Sequence, residues 1–160
     1  MSLKQEFELL RRVPMFAEIE PAKLKLLAFM SERIGFDPGK QLMRQGDAAD
    51  AAYLIIDGHA DVLVETPAGP VVVATLGPNE LVGEMAILCD VPRNATVHAK
   101  DRVVALRISK EPFMRMVREF PTMAVSIMQE LAQRVASTNT QLSAALNEVK
   151  RLREKAGIAA

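Results

Sequence analysis

From about residue 32 the chain stops following a helical period and breaks into short β-rich runs at 41–44, 52–56, 60–65, 70–76, 95–99 and 103–108. Turn signals punctuate them at Pro38-Gly39, Gly46-Asp47, Asp57-Gly58 and Ala68-Gly69. Short strands at this spacing predict an antiparallel barrel or sandwich. One helical piece interrupts the β region, at roughly residues 84–89.

Helical patterns flank that region. Ser2 and Gln5 have the spacing of a capping box, and Leu3, Phe7 and Leu10 fall on one helical face. Pro21 suits the first turn of a second helix running to about Met30, with Leu24, Leu27 and Ala28 on its buried side. Ser109 reads as an N-cap for a third helix carrying Phe113, Met116 and Val117. Pro121 then opens a long helix to about Lys155. Along it Met128, Leu131, Val135, Thr138, Leu142, Ala145, Val149 and Leu152 step by three and four, the seam of a coiled coil. On that register Glu148 and Arg153 take g and e positions, as a parallel two-stranded coil would use them.

A chain of 160 residues with 49% hydrophobic content is one domain with a sizeable core. Twenty basic and twenty acidic residues cancel, which leaves no overall electrostatic footprint for nucleic acid or an anionic membrane. Cys89 is the single cysteine, so no internal disulfide forms, and a small apolar filler is its simplest role. No apolar run reaches membrane-spanning length and the start is not a signal peptide, so a cytoplasmic protein is expected. His59 and His98 lack the company of a metal site, and nothing resembles a nucleophile–base pair or a Walker loop. No cofactor, metal or catalytic residue is expected.

The chemistry concentrates in residues 83–97, Gly-Glu-Met-Ala-Ile-Leu-Cys-Asp-Val-Pro-Arg-Asn-Ala-Thr-Val. Gly83 permits close backbone approach, and the amides of Met85 and Ala86 belong to a first helical turn with unpaired donors. Arg93 supplies a planar guanidinium suited to two oxygens of one phosphate. Phosphate would repel Glu84, so that carboxylate makes sense only against a donor on the same ligand, such as a ribose hydroxyl. One negative charge beside a sugar hydroxyl describes a cyclic nucleotide.

This segment, Gly83-Glu84-x-Ala86-Ile87-Leu88 followed by Pro92-Arg93-x-Ala95-Thr96-Val97, resembles the phosphate-binding cassette of cyclic-nucleotide-binding domains. That family includes regulatory subunits of cAMP-dependent protein kinase, cyclic-nucleotide-gated channels and catabolite-activator-type regulators. The resemblance extends over about residues 5–140, with Gly46 and Gly58 at the family's turns. It implies a jelly-roll β-roll of about eight antiparallel strands, with an N-terminal helical piece and a long C-terminal helix. It further implies that Glu84 meets the ribose 2′-hydroxyl and Arg93 an exocyclic phosphate oxygen, with amides of Gly83, Ala86, Asn94 and Ala95 completing the cradle. Asn94 either helps read the base or ends the loop. Arg134, Thr138 and Asn139 are three candidates for closing over the purine. For Thr138 the alternative is a polar break that fixes coiled-coil register.

These readings divide the chain into a β-roll with N-terminal helices (1–120), a lid and coiled-coil helix (121–155) and a flexible tail (156–160). The expected function is a sensor for cAMP, or alternatively cGMP, acting as a parallel homodimer on an unknown downstream protein. Binding of nucleic acid by this chain alone or of a membrane is not expected. The sequence shows no helix-turn-helix, kinase or channel segment, so either a stand-alone sensor or an excised domain fits. A dimeric partner-binding scaffold with a degenerate pocket, or a sensor fragment of a larger transcription factor, kinase or channel, is the alternative. Intact Glu84 and Arg93 argue against a disused pocket, which has no reason to keep a buried charge of each sign.

Overall fold

The eight strands pair in two antiparallel sheets of four. In the computed structural model, which describes residues 2–158, one sheet has the order β1 (Glu32–Phe36), β8 (Val103–Ser109), β3 (Ala51–Asp57), β6 (Leu81–Val82). The other runs β2 (Gln41–Met43), β7 (Thr96–Ala99), β4 (Ala60–Thr66), β5 (Gly69–Leu76). Strands distant in sequence therefore lie side by side, which winds the chain into a jelly-roll β-roll. Six strands lie where the β-rich runs predict them. The other two, β1 and β6, carry weaker signals: β1 begins Glu-Arg and contains Gly35, and β6 has two residues.

Helices α1 (Leu3–Arg11) and α2 (Pro21–Phe29) precede the roll, joined through a 3-10 turn at Pro14–Phe16 that the sequence pattern does not announce. The Ser2–Gln5 capping box forms as expected. Phe7 and Leu10 are buried while Leu3 is exposed, so the inward face of α1 starts one turn later than the spacing suggests. After the roll come α4 (Lys110–Glu119) and α5 (Pro121–Lys155). Ser109 stands at the N-cap of α4 but does not cap it with its side chain; its hydroxyl accepts from Arg107 Nη1 at 3.0 Å.

Two apolar clusters hold these layers. Phe16, Leu24, Leu27, Phe113, Met123 and Ile127 pack the helices onto one sheet, with Phe16 and Phe113 edge to face at 6.3 Å. Tyr53, Ile55, Val97, Val103 and Ala105 fill the space between the sheets. The start of α5 is thus anchored through Met123 and Ile127, whereas every described residue from Val135 onward is exposed. At 1.5 Å rise per residue, the stretch from Val135 to Lys155 is a rod about 30 Å long. Among the described residues no helix is long and apolar enough to cross a membrane.

Candidate functional site

Helix α3 (Glu84–Cys89) follows β6 directly, and Gly83 is its N-cap at φ +90°, with no side chain to cap the first-turn amides. A Cβ at Gly83 would lie 2.7 Å from Arg93 Nη1, 2.7 Å from Met43 Cε and 3.3 Å from the Ala51 carbonyl. Glycine is therefore required twice, for its left-handed backbone and for the space the guanidinium occupies.

Arg93 is clamped from both sides. Its amide donates to the Asp47 carbonyl at 2.8 Å and its carbonyl accepts from the Gly46 amide at 2.8 Å. The Gly46-Asp47 turn thus fixes the backbone of the arginine. The side chain, 2% exposed, donates from Nη1 to the Gly83 carbonyl at 2.7 Å and from Nη2 to the Ala51 carbonyl at 2.5 Å. Nη2 also lies 3.3 Å from Asp50 Oδ1. The loop between β2 and β3 and the loop before β7 therefore meet at this one side chain.

Glu84 and Arg93 are the two charged residues that are buried among those described, 2% and 4% exposed. They do not pair with each other. Glu84 Oε1 accepts from Arg134 Nη1 at 2.5 Å, and Arg134 Nη2 donates to Glu130 Oε1 at 3.2 Å. Arg134 thus ties α5 to the start of α3 across the site. Both Glu84 and Arg93 line a cavity of about 300 Å³, with Ala86, Asn94, Ala95 and Arg134 also in its wall. That volume is at the lower end of small-molecule sites, about 300–1,000 Å³. A second hollow of about 440 Å³ adjoins it and shares Leu76, Glu80, Leu81 and Arg134.

Of the residues singled out in the sequence, Gly83, Glu84, Ala86, Arg93, Asn94, Ala95 and Arg134 come together here. Thr138 and Asn139 stay exposed on α5, about one turn past Arg134 and outside the wall. Cys89 is exposed at the end of α3, which corrects the expectation of an apolar filler. Asp50 and Arg107 are additions the sequence does not single out: Asp50 touches both Arg93 and, at 3.1 Å, Arg107 Nη2. Only the three-dimensional pairing of β3 with β8 places Arg107 there.

Burial pushes the Glu84 carboxyl above its ordinary value of 4.5, and the Arg134 guanidinium opposes that shift without cancelling it. The folded chain therefore holds the Glu84 proton more tightly than the unfolded chain. Relative to a Glu84→Gln variant, the protein should lose stability as pH rises from about 4.5 through the raised folded value, and no further above it. Denaturant unfolding of both proteins across that range is the check. A stability that instead rises relative to Glu84→Gln as pH increases would show that Arg134 outweighs burial.

The Cyclic nucleotide-binding domain family has a model that matches residues 33–120, more than half of the chain. This protein belongs to that family. The cAMP-dependent protein kinase regulatory subunit of Yarrowia lipolytica is 34% identical over 108 residues, which are 68% of this chain and 28% of that protein. The crystal structure of the Thermus thermophilus Catabolite Activator Protein aligns with a TM-score of 0.72 at 28% identity, covering 82% of this chain and 62% of that one. The sensor domain of the transcriptional regulator DNR from Pseudomonas aeruginosa aligns with a TM-score of 0.77, over 86% of this chain and 93% of that one. At 23% identity it speaks to the fold alone. The chain thus spans about a quarter of the kinase subunit and less than two thirds of the receptor.

Proposed function

We propose that this chain is a sensor that binds a 3′,5′-cyclic mononucleotide, cAMP before cGMP, between Glu84 and Arg93. The observation that carries this reading is that its two buried charges, of opposite sign, line one cavity without pairing with each other. Each has a partner of its own, Arg134 for Glu84 and Asp50 for Arg93, and a ligand with a hydroxyl for the carboxylate and a phosphate for the guanidinium adds to both. Arg93 has three of the five N–H donors of a guanidinium engaged, which leaves two for phosphate oxygens. Glu84 accepts the ribose 2′-hydroxyl, and the uncapped amides of α3 with those of Asn94 and Ala95 finish the cradle. The preference for cAMP rests on two relatives that are by name a cAMP-dependent protein kinase regulatory subunit and a cyclic AMP receptor protein.

In this reading α5 is the moving part. Arg134 shares Glu84 with the incoming hydroxyl, so ligand changes the contact that ties α5 to α3. A small inward shift brings Arg134, and after it Thr138 or Asn139, over the purine, and the rod beyond carries that shift to a downstream protein. Hydrogen exchange with and without cAMP tests this. Protection should rise at residues 83–97 and also at 130–142. Protection confined to the cassette would reduce α5 to a strut.

The rod has its own requirement. Met128, Val135, Leu142, Val149 and Leu152 of the seam are 46–60% exposed, whereas Leu131 already packs against the roll. A second copy in parallel register covers that stripe, since its heptad spacing is self-complementary. Glu148 bonds Arg151 within its own helix at 2.5 Å, so the pairing of Glu148 with Arg153 between helices contributes little to orientation. Sedimentation should show a dimer at tens of micromolar protein. A monomer there, with and without nucleotide, would remove the coiled coil from the mechanism.

A further inference from the structure

Arg93 faces a problem that the phosphate site alone does not solve. Its Nη2 lies 3.3 Å from Asp50 Oδ1, so a carboxylate already sits against the charge that an incoming phosphate needs. Left to itself, that pair is close to neutral, and phosphate would meet Asp50 as a competitor. The other oxygen, Asp50 Oδ2, is held by Arg107 Nη2 at 3.1 Å. Arg107 is anchored in turn by Nη1 on the Ser109 hydroxyl at 3.0 Å, and the Asp50 carbonyl accepts from the Lys110 amide at 2.9 Å. Two guanidinium groups therefore share one carboxylate, and the cluster keeps one net positive charge.

We infer that Arg107 is a positioning residue for the phosphate site: by holding Asp50, it leaves Arg93 oriented yet charged toward an anionic ligand. This rests on the reading of the cavity as a cyclic-nucleotide site. The division of labour follows from burial. The Arg93 side chain is 2% exposed and faces the cavity, the Arg107 side chain is 24% exposed, and Asp50 lies between them with its side chain 66% exposed. The cluster also joins the cassette to the junction of β8 and α4, so phosphate affinity depends on a residue outside the cavity wall.

Solvent at Asp50 screens the effect, so its size is moderate. Arg107→Gln should weaken cAMP binding by about threefold to tenfold in calorimetry at low salt, and by less at high salt. Arg107→Lys, which keeps the charge and loses the fork, should retain most of the affinity. In an Asp50→Asn background, Arg107→Gln should cost less than about twofold, because the competing carboxylate is gone. A merely structural role would move none of these three comparisons in that pattern. An unchanged dissociation constant in Arg107→Gln, an equal loss in Arg107→Lys, or a penalty that persists beside Asp50→Asn would each overturn the inference while leaving the cyclic-nucleotide reading intact. An unaltered chain that binds no cAMP or cGMP would overturn both.

Discussion

Replacing Arg93 with leucine should weaken cyclic-nucleotide binding by about thirtyfold to several thousandfold, the consequence of losing ~2–5 kcal/mol at a buried, hydrogen-bonded charge. The size follows from the absence of screening: a side chain 2% exposed gives its charge to the ligand with little water in between. The fold is affected as well. Arg93 donates to the carbonyls of Gly83 and Ala51, and leucine would leave both without that donor, at about 1–3 kcal/mol for each group that water cannot reach. Arg93→Leu should thus lower thermal stability as well as affinity. Arg93→Lys separates the two effects, because it keeps a positive charge and one or two of the bonds. A cyclic-nucleotide affinity unchanged in both variants would mean that the anion site lies elsewhere.

Gly58→Ala should be the most damaging small substitution in the roll. Gly58 ends the turn between β3 and β4 at φ +84°, and a Cβ there would lie 2.1 Å from the Arg102 carbonyl oxygen and 2.8 Å from Asp101 Oδ1. Backbone cannot rotate away as a side chain can. Left-handed strain of ~1–3 kcal/mol adds to overpacking of ~1–3 kcal/mol, so a loss of several kcal/mol is expected. The neighbouring His59 amide donates to Asp101 Oδ1 at 2.6 Å, so displacing the turn also breaks the tie to the loop between β7 and β8. Denaturant unfolding is the measurement. A midpoint within error of the unaltered protein would show that the two turns do not interlock.

The architecture is readable from the sequence wherever a local rule decides. The turn glycines, the capping box, the proline at the start of α5 and the spacing of the strands each answer to a neighbour a few residues away. Elements set by distant partners are harder. Strand β1 has the charged start Glu32-Arg33, and becomes a strand because β8 supplies its hydrogen bonds, from Glu32 opposite Arg107 to Phe36 opposite Val103. The same division holds at the site. The cassette residues are legible because chemistry demands them in one short run. That Glu84 meets Arg134, fifty residues away, depends on how α5 crosses the roll, and no spacing rule contains that crossing. Asp50 lies just before β3 and gains its meaning only when Arg93 arrives from the loop before β7 and Arg107 from β8. Thr138 and Asn139 show the reverse case: heptad and family spacing mark them, yet in this arrangement they face solvent.

Titration calorimetry of the unaltered chain against cAMP, cGMP and a cyclic dinucleotide tests the central claim most directly. Saturable binding of one cyclic mononucleotide per chain, tighter for cAMP and lost in Arg93→Leu, is the predicted result. Absence of binding by either mononucleotide at millimolar concentration, or binding that Arg93→Leu leaves untouched, would contradict it.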